Sequence, residues 1–145
     1  MPANSILDQL AQAVADRIPG ATRGLVNSDV AVYVSLFEPE DVTAFGAISG
    51  TATINVERAI DLSAEGIDWS LTGIDAIMLE TATDIMQLVM SAPDPTFGGL
   101  ATSPPVPSYE PSVRDPGSDY AGVLVSFEIP VAWDYANPAT KNNVP

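Results

Sequence analysis

The chain is expected to fold as a single α+β domain: a mainly antiparallel sheet with two helices packed on one face and a long Pro-rich excursion. Three observations carry this. Residues 120–135 (YAGVLVSFEIPVAWDY) alternate, with Val123, Val125, Phe127, Ile129, Val131, Trp133 and Tyr135 on one side and Gly122, Leu124, Ser126, Glu128, Pro130, Ala132 and Asp134 on the other. Strand side chains alternate with period two, so this is one long half-buried strand, or two shorter ones meeting near Pro130. Two segments nearer the N-terminus alternate in the same way. Two more carry apolar residues at helical spacing. The domain is expected over residues 1–136, followed by a flexible tail at 137–145.

The first helix opens at Asn4-Ser5, where Ser5 can cap and Asp8 stands in the capping-box position. Leu7, Leu10, Ala11, Val14 and Ile18 then recur along one face, and Pro19-Gly20 ends it. Residues 29–37 (DVAVYVSLF) read as a strand with Val30, Val32, Val34 and Leu36 on one face. Tyr33 and Phe37 take the other face with Ala31 and Ser35. Glu38-Pro39-Glu40-Asp41 follows as an acidic loop that lacks the spacing of a calcium site. Residues 47–60 (AISGTATINVERAI) alternate again, with Ile48, Gly50, Ala52, Ile54 and Val56 opposite Ser49, Thr51, Thr53, Asn55 and Glu57. Such a sheet has one polar face, open to solvent or to a partner. A second helix starts at Thr72-Gly73-Ile74-Asp75, with Thr72 as its cap. Its apolar stripe is Ile74, Ile77, Met78, Ala82, Ile85, Met86, Leu88 and Val89.

Residues 93–119 change texture. Seven prolines there are interleaved with Gly98, Gly99 and Gly117. A structureless connection of this length inside a domain is often functional. It joins a helix to the strongest strand, so it is an excursion and not an interdomain linker.

The 145 residues suffice for one domain with a sizeable core. No apolar run reaches the roughly 18 residues of a membrane span, and no signal peptide is expected. The chain has neither cysteine nor histidine. Disulfides, thiolate nucleophiles, Ser-His-Asp mechanisms and the usual zinc sites are therefore excluded. Lys plus Arg is 5 against 19 Asp plus Glu, a formal charge of −14. Such a surface repels phosphates, which disfavours tight nucleic-acid binding and attachment to an anionic membrane. There is no Walker loop, no GxGxxG after a strand and no nucleophile elbow. No carboxylate pair stands out from the acidic background, so no enzyme activity and no cofactor are expected.

The order helix, strand, strand, helix, excursion, closing strand pair, with the segment Ile6 to Ile18 and the AVYVSLF strand, resembles the tail-terminator and tail-completion proteins of long-tailed bacteriophages. The resemblance spans about Ser5 to Tyr135, and residues 93–119 depart from it. It implies a structural virion protein that forms a six-fold ring at the head-proximal end of the tail tube. The ring would end tube polymerisation and join the tail to the neck. Its partners would be other copies of itself, the tail-tube protein and the neck or connector protein. DNA would pass through the channel without being tightly held. Location would be the tail-neck region of the virion, and the host cytoplasm during assembly. Exposed strand edges are a ready means of extending a sheet across subunits. Other readings are a different ring protein of the particle (head completion or tail tube), or a monomeric acidic binding or inhibitor module. Glu38, Glu40, Asp41, Phe97, Tyr109 and Arg114 are the candidate protein-interface residues, the charged and aromatic groups of the acidic segment and the excursion.

Overall fold

Strand alternation and two amphipathic helices produce a six-stranded mixed sheet with both helices on one face. The structure is a computed structural model that describes residues 5–24, 30–42, 46–61, 71–91, 94–113, 120–134 and 137–141. The elements in chain order are α1 (Ile6–Asp16), β1 (Thr22–Arg23), β2 (Val30–Val42), β3 (Ala47–Asp61), α2 (Leu71–Met90), β4 (Val106–Val113), β5 (Tyr120–Asp134) and β6 (Asn137–Lys141). The strands lie in the order β1-β2-β3-β5-β4, and β6 also pairs with β5. Among the described strands only the short β1 runs parallel to its neighbour. Among the described residues no helix is long and apolar enough to cross a membrane.

Residues 120–134 form one strand, not two. β5 pairs with β3 without interruption from Tyr120↔Asp61 to Asp134↔Ala47. Pro130 is tolerated because of where its nitrogen points. Its carbonyl accepts from the N–H of Thr102 at 2.8 Å, so this residue's backbone faces away from β3. It looks into the gap between β4, which pairs as far as Glu128, and β6, which begins at Trp133. No ladder bond is lost there.

The core is a single layer between sheet and helices. Val32 of β2, Ala52, Ile54 and Val56 of β3, and Val123, Val125, Phe127, Ile129 and Val131 of β5 line it. Leu10, Ala11, Val14 and Ile18 from the first helical segment and Met78, Ala82, Ile85 and Val89 from α2 cover them. Ser5 caps α1 as its sequence implies, its Oγ accepting from the N–H of Asp8 at 3.1 Å. The Asp8 carboxylate instead accepts from Arg23 at 2.9 Å, tying α1 to β1.

Four expectations are corrected. The acidic segment Glu38 to Asp41 is not a loop but the second half of β2. Leu36 and Phe37 exchange faces, because β2 carries a bulge between Val34 and Leu36. One extra residue, Ser35, reverses the alternation that follows it. The excursion is not structureless, since it holds turns at 95–100 and the edge strand β4. Residues 137–141 of the tail form the strand β6 against β5. In addition α2 begins at Leu71, which places Thr72 inside the first turn and not at the cap.

One arginine ties the ends of the two helices together. Arg17 donates to the carbonyl of Val89 at 2.8 Å and to the carbonyl of Asp94, and its guanidinium lies 3.9 Å from the Phe97 ring centroid. α2 has no basic residue in its last turn, so Arg17 supplies the cation that the carbonyl end of that helix favours. Phe97 sits at φ 55, a conformation the turn imposes. The Asp94 carboxylate holds that turn, accepting from the N–H of Gly98 and from the N–H and hydroxyl of Thr96. These bonds, the one from Gly98 first, hold the Asp94 carboxyl below its usual range, with a smaller contribution from Arg17. A depressed folded-state value means the contribution is complete above the unfolded-state pKa near 3.9 and is lost as pH falls through the lower folded value. Asp94→Asn is therefore expected to lower the thermal midpoint at neutral pH, and that gap should close in acid. A gap that stays constant down to pH values near 2 would remove the carboxylate's charge from the turn's stability.

The uncovered sheet face as candidate interaction surface

The side of the sheet opposite the helices has no described helix or strand packed over it. Register fixes which residues share it. Tyr33, Asn55, Ser126 and Ser108 form one row across four strands, and Leu36, Thr53, Glu128 and Val106 form the next. Glu38 and Thr51 continue it beside Pro130, and Glu57, Leu124 and Glu110 lie on the other side. The strands are up to 15 residues long, about 50 Å at roughly 3.4 Å per residue. A face of this size is much larger than the pocket of a small ligand.

Three residues of the first row form a hydrogen-bonded chain that ends on Glu57. Ser126 donates to Asn55 Oδ1 at 2.9 Å, Asn55 Nδ2 donates to the Tyr33 hydroxyl at 3.4 Å, and that hydroxyl donates to Glu57 at 2.7 Å. Asn55 is buried by its neighbours, and this chain satisfies both ends of its amide. Burial pushes the Tyr33 hydroxyl above its ordinary pKa, with Glu57 adding to the shift and Asn55 opposing it. The hydroxyl therefore stays protonated and serves as a spacer between strands.

The second row is where the bulge matters. Ser35 fills the bulge, its hydroxyl donating to the Thr53 carbonyl at 3.3 Å. The reversal then turns Leu36 outward, where it is 48% exposed. Val106, on the far side of Glu128 in the same row, is 62% exposed. A second irregularity between Pro39 and Asp41 places Glu40 beside Thr51, whose hydroxyl donates to it at 2.8 Å. Leu36, Glu38, Glu40, Thr51, Thr53 and Glu128 together line an open depression of about 220 Å³. It combines three carboxylates, two hydroxyls and one apolar wall. That chemistry suits a lysine or arginine with its aliphatic stem lying along Leu36.

The sequence-derived candidates divide. Glu38 and Glu40 line this depression, and Asp41 follows them on exposed β2. Phe97 is not on offer to a partner, because its ring is in the core beneath Arg17. Tyr109 turns toward the helix side, opposite Val125, and packs against the core. Its hydroxyl is buried without a hydrogen-bond partner among the described residues. Burial raises its pKa, and the Asp75 carboxylate adds to that. Arg114 lies outside the described residues. Leu36, Thr53, Glu128 and Val106 were not singled out beforehand, since alternation alone assigns Leu36 to the core. The signal was Ser35, a small polar residue in the otherwise apolar run 30–37.

Among the described residues no group of three or more acidic side chains is arranged to hold a metal ion. The chain matches no protein-family model, and no curated protein shows significant sequence similarity to it.

Proposed function

We propose that this is a structural assembly protein, a ring subunit at the head-proximal end of a phage tail. It would end growth of the tail tube and join the tail to the neck. The observation that carries the reading is the sheet face that no described helix or strand covers. It is long, it bears exposed Leu36 and Val106 among carboxylates, and both helices are spent on the opposite side. Such a surface fits a protein neighbour better than a small substrate. The element order adds the family resemblance. A head-to-tail interface that closes produces a ring, and an acidic lining lets DNA pass without retaining it. The acidic depression favours a tube or neck surface bearing lysine or arginine over a second copy of the same face.

The test mixes the purified protein with the tube subunit of the same phage and follows tube length by electron microscopy. Caps at one end of the tubes, with growth halted there, are the expected result. Long tubes formed by this protein alone would make it a tube subunit. A monomer that ignores tubes at high concentration would make it an acidic binding module.

A further inference from the structure

The described sheet ends in β4 on one side and in β2, partly covered by β1, on the other. The direction of each backbone group follows from two hydrogen bonds. Gly24 donates to the Val32 carbonyl at 2.8 Å, so Val32 points its backbone out of β2, away from β3. Thr102 donates to the Pro130 carbonyl, so Pro130 and the even-numbered residues of β5 point toward β4. The two are consistent. Val32 pairs with Val56, which then points to β5, and Thr51 pairs with Pro130, which faces the other way.

Carried across the ladder, this direction fixes β4. Val106, Ser108, Glu110 and Ser112 oppose even-numbered residues of β5 and bond inward. Pro107, Tyr109, Pro111 and Val113 therefore point outward, and Pro105 precedes them in the same phase. Two of the four outward positions on β4 are prolines and lack an N–H, so they offer no donor to an approaching strand. The other edge is guarded by different means. β1 covers the start of β2, and bulges follow at Ser35 and near Glu40. Between them Pro39 pairs with Gly50, an outward-pointing position in the same ladder.

We infer that Pro39, Pro107 and Pro111 are edge guards that close both sides of the sheet to strand addition, so that neighbouring copies are engaged through side chains. This runs against the expectation that exposed edges extend the sheet between subunits. It does not depend on the ring reading, because a monomeric module with these edges is guarded in the same way. The outward phase is the reason to read these prolines as guards. A proline facing inward would break the ladder, and one placed in a loop would have no effect on pairing.

The experiment replaces both β4 guards at once, as Pro107→Thr with Pro111→Thr. Threonine restores the N–H and favours extended backbone. The double variant is expected to associate with rising concentration, at least tenfold more readily than the wild type, by native mass measurement. Pro104→Thr, outside β4, should leave association unchanged. A double variant as monodisperse as the wild type would overturn the inference, and so would equal association of the Pro104→Thr control. Amide exchange on the wild-type protein, in the assembly it forms, is an arm independent of variant folding. The outward amides of Tyr109 and Phe37 should exchange rapidly there. Slow exchange at those two amides on assembly would show strand addition and refute the guards.

Discussion

Phe127→Ala should lower the stability of the fold by about 3–5 kcal/mol. Phe127 is fully buried at the middle of β5, the strand that β3 and β4 flank. It pairs with Ile54 on one side and Pro107 on the other, and the helix side chains close over it. Its ring cannot be replaced by collapse, because the backbones on both sides are held in ladders. The loss is therefore the transfer term plus the cavity term. Urea titration checks this: the midpoint should fall while the slope stays constant, since the surface exposed on unfolding hardly changes. A midpoint that does not move would take Phe127 out of the core.

Gly50→Ala should cost about 2–3 kcal/mol by overpacking, although it adds a single methyl group to a strand. The side chain that Gly50 lacks would project to the helix side. A Cβ there would lie 2.8 Å from Cζ of Phe37 and 2.8 Å from Cα of Pro39, and would press on the carbonyl of Glu38. Phe37 stands over Gly50 because the bulge at Ser35 has turned it inward, where its ring meets Trp133 with centroids 4.6 Å apart. Two of the three obstructions are backbone atoms, so trimming the ring does not make room. Phe37→Ala combined with Gly50→Ala should be no more stable than Gly50→Ala alone. The thermal midpoint checks both statements. Recovery in the double variant would show that the ring, and not the β2 backbone, sets the limit.

The elements whose period runs unbroken were legible from the residues alone. β3 alternates from Ile48 to Val56 without a slip, and its inward set is buried, with Ile48 at the margin; of the outward set only Asn55 is buried as well. The helix face of Leu10, Ala11, Val14 and Ile18 and the stop at Pro19-Gly20 were equally plain. Each depends on neighbours a few positions apart. The candidate face was legible only in part. Its polar stripe on β3 was visible, but the row through Leu36, Thr53, Glu128 and Val106 takes one residue from each of four strands. No local pattern carries that register.

Prolines mark the other limit. In residues 93–119 they argued for an irregular excursion, since proline cannot donate to a ladder. β4 nonetheless forms, because an edge strand needs donors on one side only and its prolines fall on the other phase. The sequence determined the strand and helix periods, the acidic surface without histidine or cysteine, and the polar side of β3. The tertiary structure alone decided that Leu36 faces out and Phe37 in, that Glu38 to Asp41 belong to a strand, and that the prolines lie on an edge. The physical reason is the same in each case. A bulge or an edge is defined by what a strand pairs with, and that register is not written in the period of either strand alone.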